Sequence, residues 1–150
     1  MEKLNFPACK VQLKNRENKP FIFDPIRKKW VLCTPEEWVR SHCLFYLIHT
    51  LGYPASWIKV EHSIKVYDTT KRFDIMIVDP NKGNLLLVEC KASKVKLNQH
   101  VFDQIARYNL QVRSQYMMLT NGLNHYFCTM DYTNQRYQFI KEVPKFNMNL

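Results

Sequence analysis

Two apolar segments separated by a cluster of turn formers constrain this chain most. Residues 72–78 (Arg-Phe-Asp-Ile-Met-Ile-Val) and residues 85–91 (Leu-Leu-Leu-Val-Glu-Cys-Lys) are rich in β-forming side chains. The residues between them, 79–84, are Asp, Pro, Asn, Lys, Gly and Asn, which favour a turn. We therefore predict an antiparallel hairpin with strands over Phe73–Val78 and Leu85–Cys90.

Each predicted strand of this hairpin carries one acidic residue. When the turn is centred between Asn81 and Lys82, Asp74 lies directly opposite Glu89. Opposed residues project from the same face of a sheet, with Cβ atoms about 5 Å apart. Lys91 follows Glu89 by two residues and therefore projects from that face as well. The pattern predicts two carboxylates and one amine close together.

Carboxylates facing each other inside apolar strands need a compensating charge. Lys91 can neutralise one of them, and a divalent cation satisfies both. Mg²⁺, with Mn²⁺ as a substitute, prefers oxygen ligands, and the backbone carbonyl of Cys90 would add a third oxygen to those of Asp74 and Glu89. Such a cation would polarise a phosphodiester and generate a hydroxide, while Lys91 orients the water or stabilises the developing charge. The hypothesis is a metal-dependent phosphodiester hydrolase.

Two structural alternatives explain the same residues without a catalytic role. Asp74, Glu89 and Lys91 could form an edge-strand salt-bridge cluster, and a one-residue shift of the hairpin would stagger the two acids. The side chain of Cys90 should face the opposite side of its strand and is predicted to lie in the core rather than to act as a nucleophile.

The remaining segments alternate between helical and strand patterns. Residues 34–37 (Thr-Pro-Glu-Glu) are typical of a helix start, and Gly52 of a helix end. Along residues 57–67 the apolar residues share one parity, which predicts a strand with a single apolar face: Ile58, Val60, Ile64 and Val66. The other predicted elements are strands at Phe21–Phe23, Tyr116–Thr120, His125–Met130 and Arg136–Ile140, and a helix over Asn98–Arg113. This order predicts a mixed α/β domain with a sheet flanked by helices.

Composition limits the functional classes. Twenty-two Lys and Arg against 13 Asp and Glu give a net charge of +9, which favours polyanions such as nucleic acid. Five scattered cysteines without a C-x-x-C pair indicate neither a zinc ribbon nor disulfides, and fit a cytoplasmic protein. The longest apolar run, Leu44–Ile48, is far too short to span a membrane. We expect a basic N-terminal arm over residues 1–20 and one domain over residues 21–150.

Asp74, followed downstream by Glu89-Cys90-Lys91, resembles the signature of the PD-(D/E)XK nucleases, although Phe73 stands where the family name has proline. Gln104 and Tyr108 resemble the Q-x-x-x-Y motif of nuclease domains in type I restriction motor subunits and RecB-like nucleases. Residues 34–40 resemble the first-helix segment of the type I restriction R-protein N-terminal domain. The chain departs from those motor subunits because it has no P-loop motif.

The resemblance implies a restriction-endonuclease-like fold, a mixed central sheet flanked by helices, and a set of roles. Asp74 and Glu89 would bind the metal, and Lys91 would be the catalytic lysine. Glu37 would match the first-helix glutamate that completes the metal site, although a capping-box role explains it equally well. Gln104 and Tyr108 would line the cleft, where they would contact DNA phosphates or support the metal shell. Basic residues near that cleft could neutralise backbone phosphates: Lys94, Lys96 and Arg107.

We therefore expect a Mg²⁺-dependent deoxyribonuclease that acts on DNA, as a homodimer or with a partner subunit of a restriction system, and without a membrane. One alternative is a non-catalytic DNA-binding module, or a partner-dependent subunit, on the same fold. A second is a protein-interaction domain whose carboxylates are purely structural.

Overall fold

The computed structural model describes residues 2–147 and contains two β-sheets and two α-helices. A small sheet contains β1 (Leu13–Arg16), β2 (Lys19–Asp24) and β3 (Lys29–Leu32). The large sheet contains β4 (Ile58–Val66), β5 (Thr69–Asp79), β6 (Gly83–Cys90), β7 (Tyr116–Thr120), β8 (His125–Asp131) and β9 (Arg136–Ile140). The helices are α1 (Pro35–Phe45) and α2 (Gln99–Val112).

The strands of the large sheet are arranged in chain order, from β4 to β9. Neighbouring strands are antiparallel except for β6 and β7, which run parallel and are connected through α2. The predicted mixed α/β class is confirmed. The predicted hairpin is confirmed as β5 and β6, which both lie inside the sheet, so the edge-strand alternative does not apply to them.

The start of α1 follows from its first residues. The Thr34 hydroxyl accepts a hydrogen bond from the backbone N–H of Glu37 at 3.1 Å, and Pro35 occupies the first helical position, where no backbone donor is needed. A π-helical turn over Tyr46–Thr50 continues the helix, and Gly52, with φ of +80°, ends it. The predicted helix is therefore present, and the backbone hydrogen bonds of its last turn are π-helical rather than α-helical.

Apolar side chains form one core on each face of the large sheet. The α1-side core joins α1 to Ile75, Ile77 and Val88, and the α2-side core joins α2 to Met76 and Leu87. Burial on both faces explains why β5 and β6 are nearly continuous apolar runs rather than alternating ones.

Strand β4 does not present the single apolar face that its parity predicts. Ile58 and Val60 belong to the α1-side core, whereas Ile64 and Val66 belong to the α2-side core. Between these pairs lies Glu61, whose φ of +52° is left-handed and interrupts the alternation of side chains. The predicted strand is present as β4, but its apolar residues lie on two faces because a period of two holds only while every residue remains extended.

The first 20 residues, predicted as a basic arm, are bound to the rest of the chain. Leu4 is buried in the α1-side core, and the backbone N–H of Asn5 donates to the carbonyl of Gly122 at 2.8 Å. Strand β1 pairs with β2 along its whole length, so the predicted boundary after residue 20 falls inside a strand pair. Within residues 2–147, no helix is both long and apolar enough to cross a membrane.

Replacing Gly122 by alanine should destabilise the fold more than the same change at Gly83. Both glycines have left-handed backbones, with φ of +86° and +91°, so alanine carries a similar strain at each. At Gly122, however, the new Cβ would lie 2.8 Å from Leu4 Cδ2 and 3.2 Å from Val39 Cγ2, whereas no atom lies within 4 Å at Gly83.

Urea denaturation measures the free energy of unfolding of both Gly→Ala variants. We expect Gly122→Ala to lower it by about 1–3 kcal/mol more than Gly83→Ala does. Equal losses would mean that Leu4 is not packed against Gly122.

Candidate active site

Backbone pairing of β5 with β6 stops at the end where Asp74 and Glu89 lie opposite each other, and we call this end of the hairpin the fork. The last paired residues of the hairpin at this end are Ile75 and Val88, and continuing their register by one residue sets Asp74 against Glu89. Asp74 Oδ2 accepts a hydrogen bond of 2.8 Å from the backbone N–H of Cys90. The Asp74 side chain is thereby anchored to the end of β6.

The three residues predicted to converge do so. Asp74 and Glu89 are each 8% exposed, and their carboxyl groups are close enough for each to shift the pKa of the other. Lys91 Nζ lies 3.8 Å from Glu89 Oε1 and is about one-third exposed. The predicted register holds at this end because the irregularity of the hairpin lies between Ile77 and Val78, on the turn side.

Crowding of the two acids changes their protonation. Burial raises the pKa of Glu89 to about 8, and the neighbouring Asp74 charge adds to this, while Lys91 works against it. Burial also raises the pKa of Asp74, but the Cys90 N–H and the Arg40 guanidinium oppose the shift. Without a bound cation, the raised pKa values of the two acids favour retention of a proton by the pair near neutral pH.

One oxygen of the pair lacks a donor. Glu89 Oε2 is buried, and no hydrogen-bond donor reaches it in the described part of the chain when both acids are ionised. A buried charged oxygen without a partner is costly, and either a proton or a cation relieves that cost. The donor set therefore fits a hard divalent ion, which takes one or two carboxylates and completes its shell with water or phosphate.

No cluster of three or more His, Cys, Asp or Glu side chains within residues 2–147 has the arrangement of a complete metal site. The protein would supply Asp74 and Glu89 and leave the other positions to smaller ligands. The Cys90 thiol is fully buried in the α1-side core, as predicted for its side chain. The role of the Cys90 carbonyl as a ligand stays a prediction.

Helix α1 contributes the positively charged side chain of Arg40 to the site. Arg40 Nη1 lies 3.6 Å from Asp74 Oδ1, and its side chain is 6% exposed. The carboxyl group of Glu36 also approaches Asp74, which contributes to the raised pKa of Glu36 after the larger effect of burial. Neither Arg40 nor Glu36 could be predicted as a site residue, because local spacing does not show which face of α1 meets the sheet.

Glu37, predicted as a metal ligand, is engaged elsewhere in the structure. Its Oε1 accepts from Arg40 Nη2 at 2.7 Å and from Arg27 Nη2 at 3.0 Å. Arg27 also binds Asp24 at 2.6 Å, so this arginine ties the small sheet to α1. A metal role for Glu37 stays a prediction, and Glu36 is the glutamate of this helix that faces Asp74.

Helix α2 faces the other side of the fork. The Tyr108 ring packs edge-on against Phe73, with ring centroids 6.4 Å apart, and Lys71 Nζ lies 5.2 Å from the Tyr108 centroid. Lys71 in turn lowers the pKa of Glu89, against the larger effect of burial. Gln104 is exposed one turn earlier on the same helix. Tyr108 therefore packs beside Phe73 and Lys71, and the roles of both Gln104 and Tyr108 in the cleft stay predictions.

The three basic residues predicted to contact nucleic acid are exposed. Lys94 and Lys96 lie in the loop that follows Lys91, and Arg107 lies on α2 next to Tyr108 in sequence. Arg27, in contrast, is bound by three carboxylates, those of Asp24, Glu37 and Glu61, and contributes to the fold. Three exposed positive charges thus lie on the elements that follow the acidic pair.

The fold and the buried acids together define a mixed α/β domain with a candidate cation-binding centre on its central hairpin. Residues 35–144 match the model of the type I restriction enzyme R protein N terminus (HSDR_N). The chain belongs to this family.

One solved structure has a similar fold. It is described as a fragment of an HsdR subunit of a type I restriction enzyme from Vibrio vulnificus YJ016, with a TM-score of 0.51 and 18% sequence identity. The similarity covers 75% of this chain and 24% of that one, so this chain spans about a quarter of the related subunit fragment. No curated protein sequence is significantly similar to the chain.

Proposed function

We propose that this domain is a Mg²⁺-dependent nuclease of the PD-(D/E)XK type that hydrolyses DNA phosphodiester bonds. The observation that carries the proposal is the buried oxygen Glu89 Oε2, which has no donor and stands beside a second buried carboxylate, Asp74, and an amine, Lys91. Membership of the restriction R-protein family supports action on DNA within a restriction system.

Each residue has a role that follows from its surroundings. The Cys90 N–H donates to Asp74 Oδ2 and so orients this carboxylate before a cation arrives, and Lys91 lies 3.8 Å from Glu89 Oε1. Mg²⁺ would polarise the phosphodiester and lower the pKa of a bound water. Lys91 is partly exposed, and its ammonium group would stabilise the negative charge that develops on the phosphate.

Metal binding and proton release should be linked in this domain. Because Glu89 keeps its proton up to a pH of about 8, a divalent cation must displace that proton at neutral pH. We expect Mn²⁺ affinity to rise about tenfold for each pH unit up to 8 and then to level off. Calorimetry in buffers of different ionisation enthalpy measures the affinity and the protons released.

Asp103→Asn is the matched control for this experiment, because Asp103 is fully exposed on α2 and its pKa is lowered by bonds from Gln99 and Tyr137. The control should keep the pH dependence of the parent, and Glu89→Gln should abolish it along with most of the binding. Mn²⁺ affinity that does not change between pH 6 and pH 9 would contradict the assignment of Glu89.

The nuclease proposal itself is tested by incubating the purified protein with supercoiled, linear and branched DNA in Mg²⁺ or Mn²⁺. Cutting that requires the cation supports the proposal. Salt-dependent DNA binding without cutting on any substrate would favour a non-catalytic DNA-binding module instead.

A further inference from the structure

Glu61 has an unusual backbone for its position. Among the described residues, seven that are not glycine have a positive φ, and the other six lie in turns or at a helix end: Glu17, Asn18, Lys28, Tyr67, Arg113 and Gln135. Glu61 alone among them lies in the interior of a strand, β4. A left-handed residue costs roughly 1–2 kcal/mol, and such strain persists only where the surrounding structure enforces it.

The strained residue Glu61 lies opposite Asp74 on the neighbouring strand. Val60 pairs with Ile75 and His62 pairs with Phe73, so Glu61 and Asp74 face each other between two regular pairs. Because the register is the same on both sides, β4 and β5 change faces together at this point.

The change of face decides where the Asp74 carboxylate lies. Ile75 and Ile77 face the α1-side core, so unbroken alternation would place Asp74 with Met76 in the α2-side core. Asp74 instead reaches Arg40 on α1 and the backbone N–H of Cys90. The interruption at Glu61 thus accompanies the removal of a carboxylate from an apolar core.

Contacts of the Glu61 side chain hold the strained backbone in place. Glu61 Oε1 lies 3.1 Å from Arg40 Nη1, and Oε2 lies 3.2 Å from Arg27 Nη1. Arg40 Nη1 is the same nitrogen that approaches Asp74, so one guanidinium group stands between the two carboxylates. These contacts compensate for the backbone strain and link it to the candidate active site.

We propose that Glu61 is a positioning residue: its left-handed backbone, held by Arg27 and Arg40, turns Asp74 out of the α2-side core and sets its carboxylate against the Cys90 N–H. The consequence for catalysis rests on the nuclease function proposed above. The geometry itself is measurable without metal or DNA, through the Cys90 amide.

The series Glu61→Gly, Glu61→Ala and Glu61→Val tests this proposal. All three variants lose the arginine contacts equally, but the cost of the left-handed backbone rises from glycine to alanine to valine. The readout is the hydrogen-exchange protection and proton chemical shift of the Cys90 amide, measured by NMR in the absence of metal. Gln135→Val is the matched control, since Gln135 has φ of +51° in the exposed β8–β9 turn.

We expect protection of the Cys90 amide to fall in the order glycine, alanine, valine, while Gln135→Val keeps the parent value. Mn²⁺ affinity should fall in the same order, by about 10- to 100-fold for Glu61→Val. If Glu61→Val does not fold, the glycine and alanine variants still decide the question. Equal protection in all Glu61 variants, or an equal loss in the glycine and valine variants, would overturn the proposal.

The proposed nuclease function and the proposed role of Glu61 can be contradicted independently of each other. If the Cys90 amide follows the series but the parent neither binds Mn²⁺ nor cuts DNA, the nuclease function is wrong and the positioning of Asp74 stands. If the parent cuts DNA and the Cys90 amide is the same in every variant, the nuclease function stands and Glu61 does not position Asp74.

Discussion

Replacing Lys91 by methionine should lower the rate of DNA cleavage by about 10²- to 10³-fold, the usual loss when a group that stabilises developing charge is removed. Methionine keeps the length of the side chain and removes the ammonium group that lies 3.8 Å from Glu89 Oε1. Because Lys91 is partly exposed, folding should be nearly unaffected. Single-turnover cleavage at saturating DNA and Mg²⁺ measures the rate directly.

Lys141→Met is the control for this change, because Lys141 is an exposed lysine beyond β9 that has no assigned role at the site. Its cleavage rate should equal that of the parent, and both variants should bind DNA. A Lys91→Met protein that cuts at the parental rate would show that this lysine takes no part in the reaction.

Replacing Arg40 by methionine should destabilise the protein by about 3–5 kcal/mol, since it leaves the buried Asp74 carboxylate without its arginine and removes one of the arginines that bind Glu37 and Glu61. Arg40 is almost fully buried and contacts Glu37, Glu61 and Asp74 at 2.7, 3.1 and 3.6 Å. For a chain of this size the loss corresponds to a fall of roughly 10 °C in Tm. Differential scanning calorimetry at constant pH measures it.

Arg72→Met provides the comparison. Arg72 also approaches Glu61, at 3.7 Å, but its side chain is 67% exposed, so its ion pair should contribute about 0–1 kcal/mol. If both arginine variants had the same Tm, the network around Arg40 would not stabilise the fold, and the contacts that link α1 to Asp74 would have no energetic importance.

The candidate site could be predicted from the sequence because its three main residues belong to one local hairpin. Apolar runs flanking a cluster of turn formers define such a hairpin, and its register determines which residues face each other. The irregularity between Ile77 and Val78 could not be anticipated, yet it lies on the turn side and leaves the pairing next to Asp74 unchanged. The prediction therefore held where the chemistry is proposed.

The parts that were missed depend on contacts between distant segments. The family resemblance implied Glu37 as the site glutamate of α1, whereas in the structure Glu36 approaches Asp74 and Glu37 binds Arg27. The alternation of apolar residues along β4 indicated one apolar face. The structure differs because the backbone of Glu61 is left-handed, and no sequence pattern marks a left-handed glutamate inside a strand. Each difference arises from tertiary ion pairs, which hydrophobic periodicity does not encode.

The most direct test of the account is a crystal structure of the protein grown with Mn²⁺, with anomalous diffraction recorded to locate the ion. We expect a Mn²⁺ peak within coordination distance of carboxylate oxygens of both Asp74 and Glu89. A well-ordered fork without a Mn²⁺ peak at saturating concentration, or a peak only at other carboxylates, would contradict the central claim that this acidic pair binds a catalytic metal.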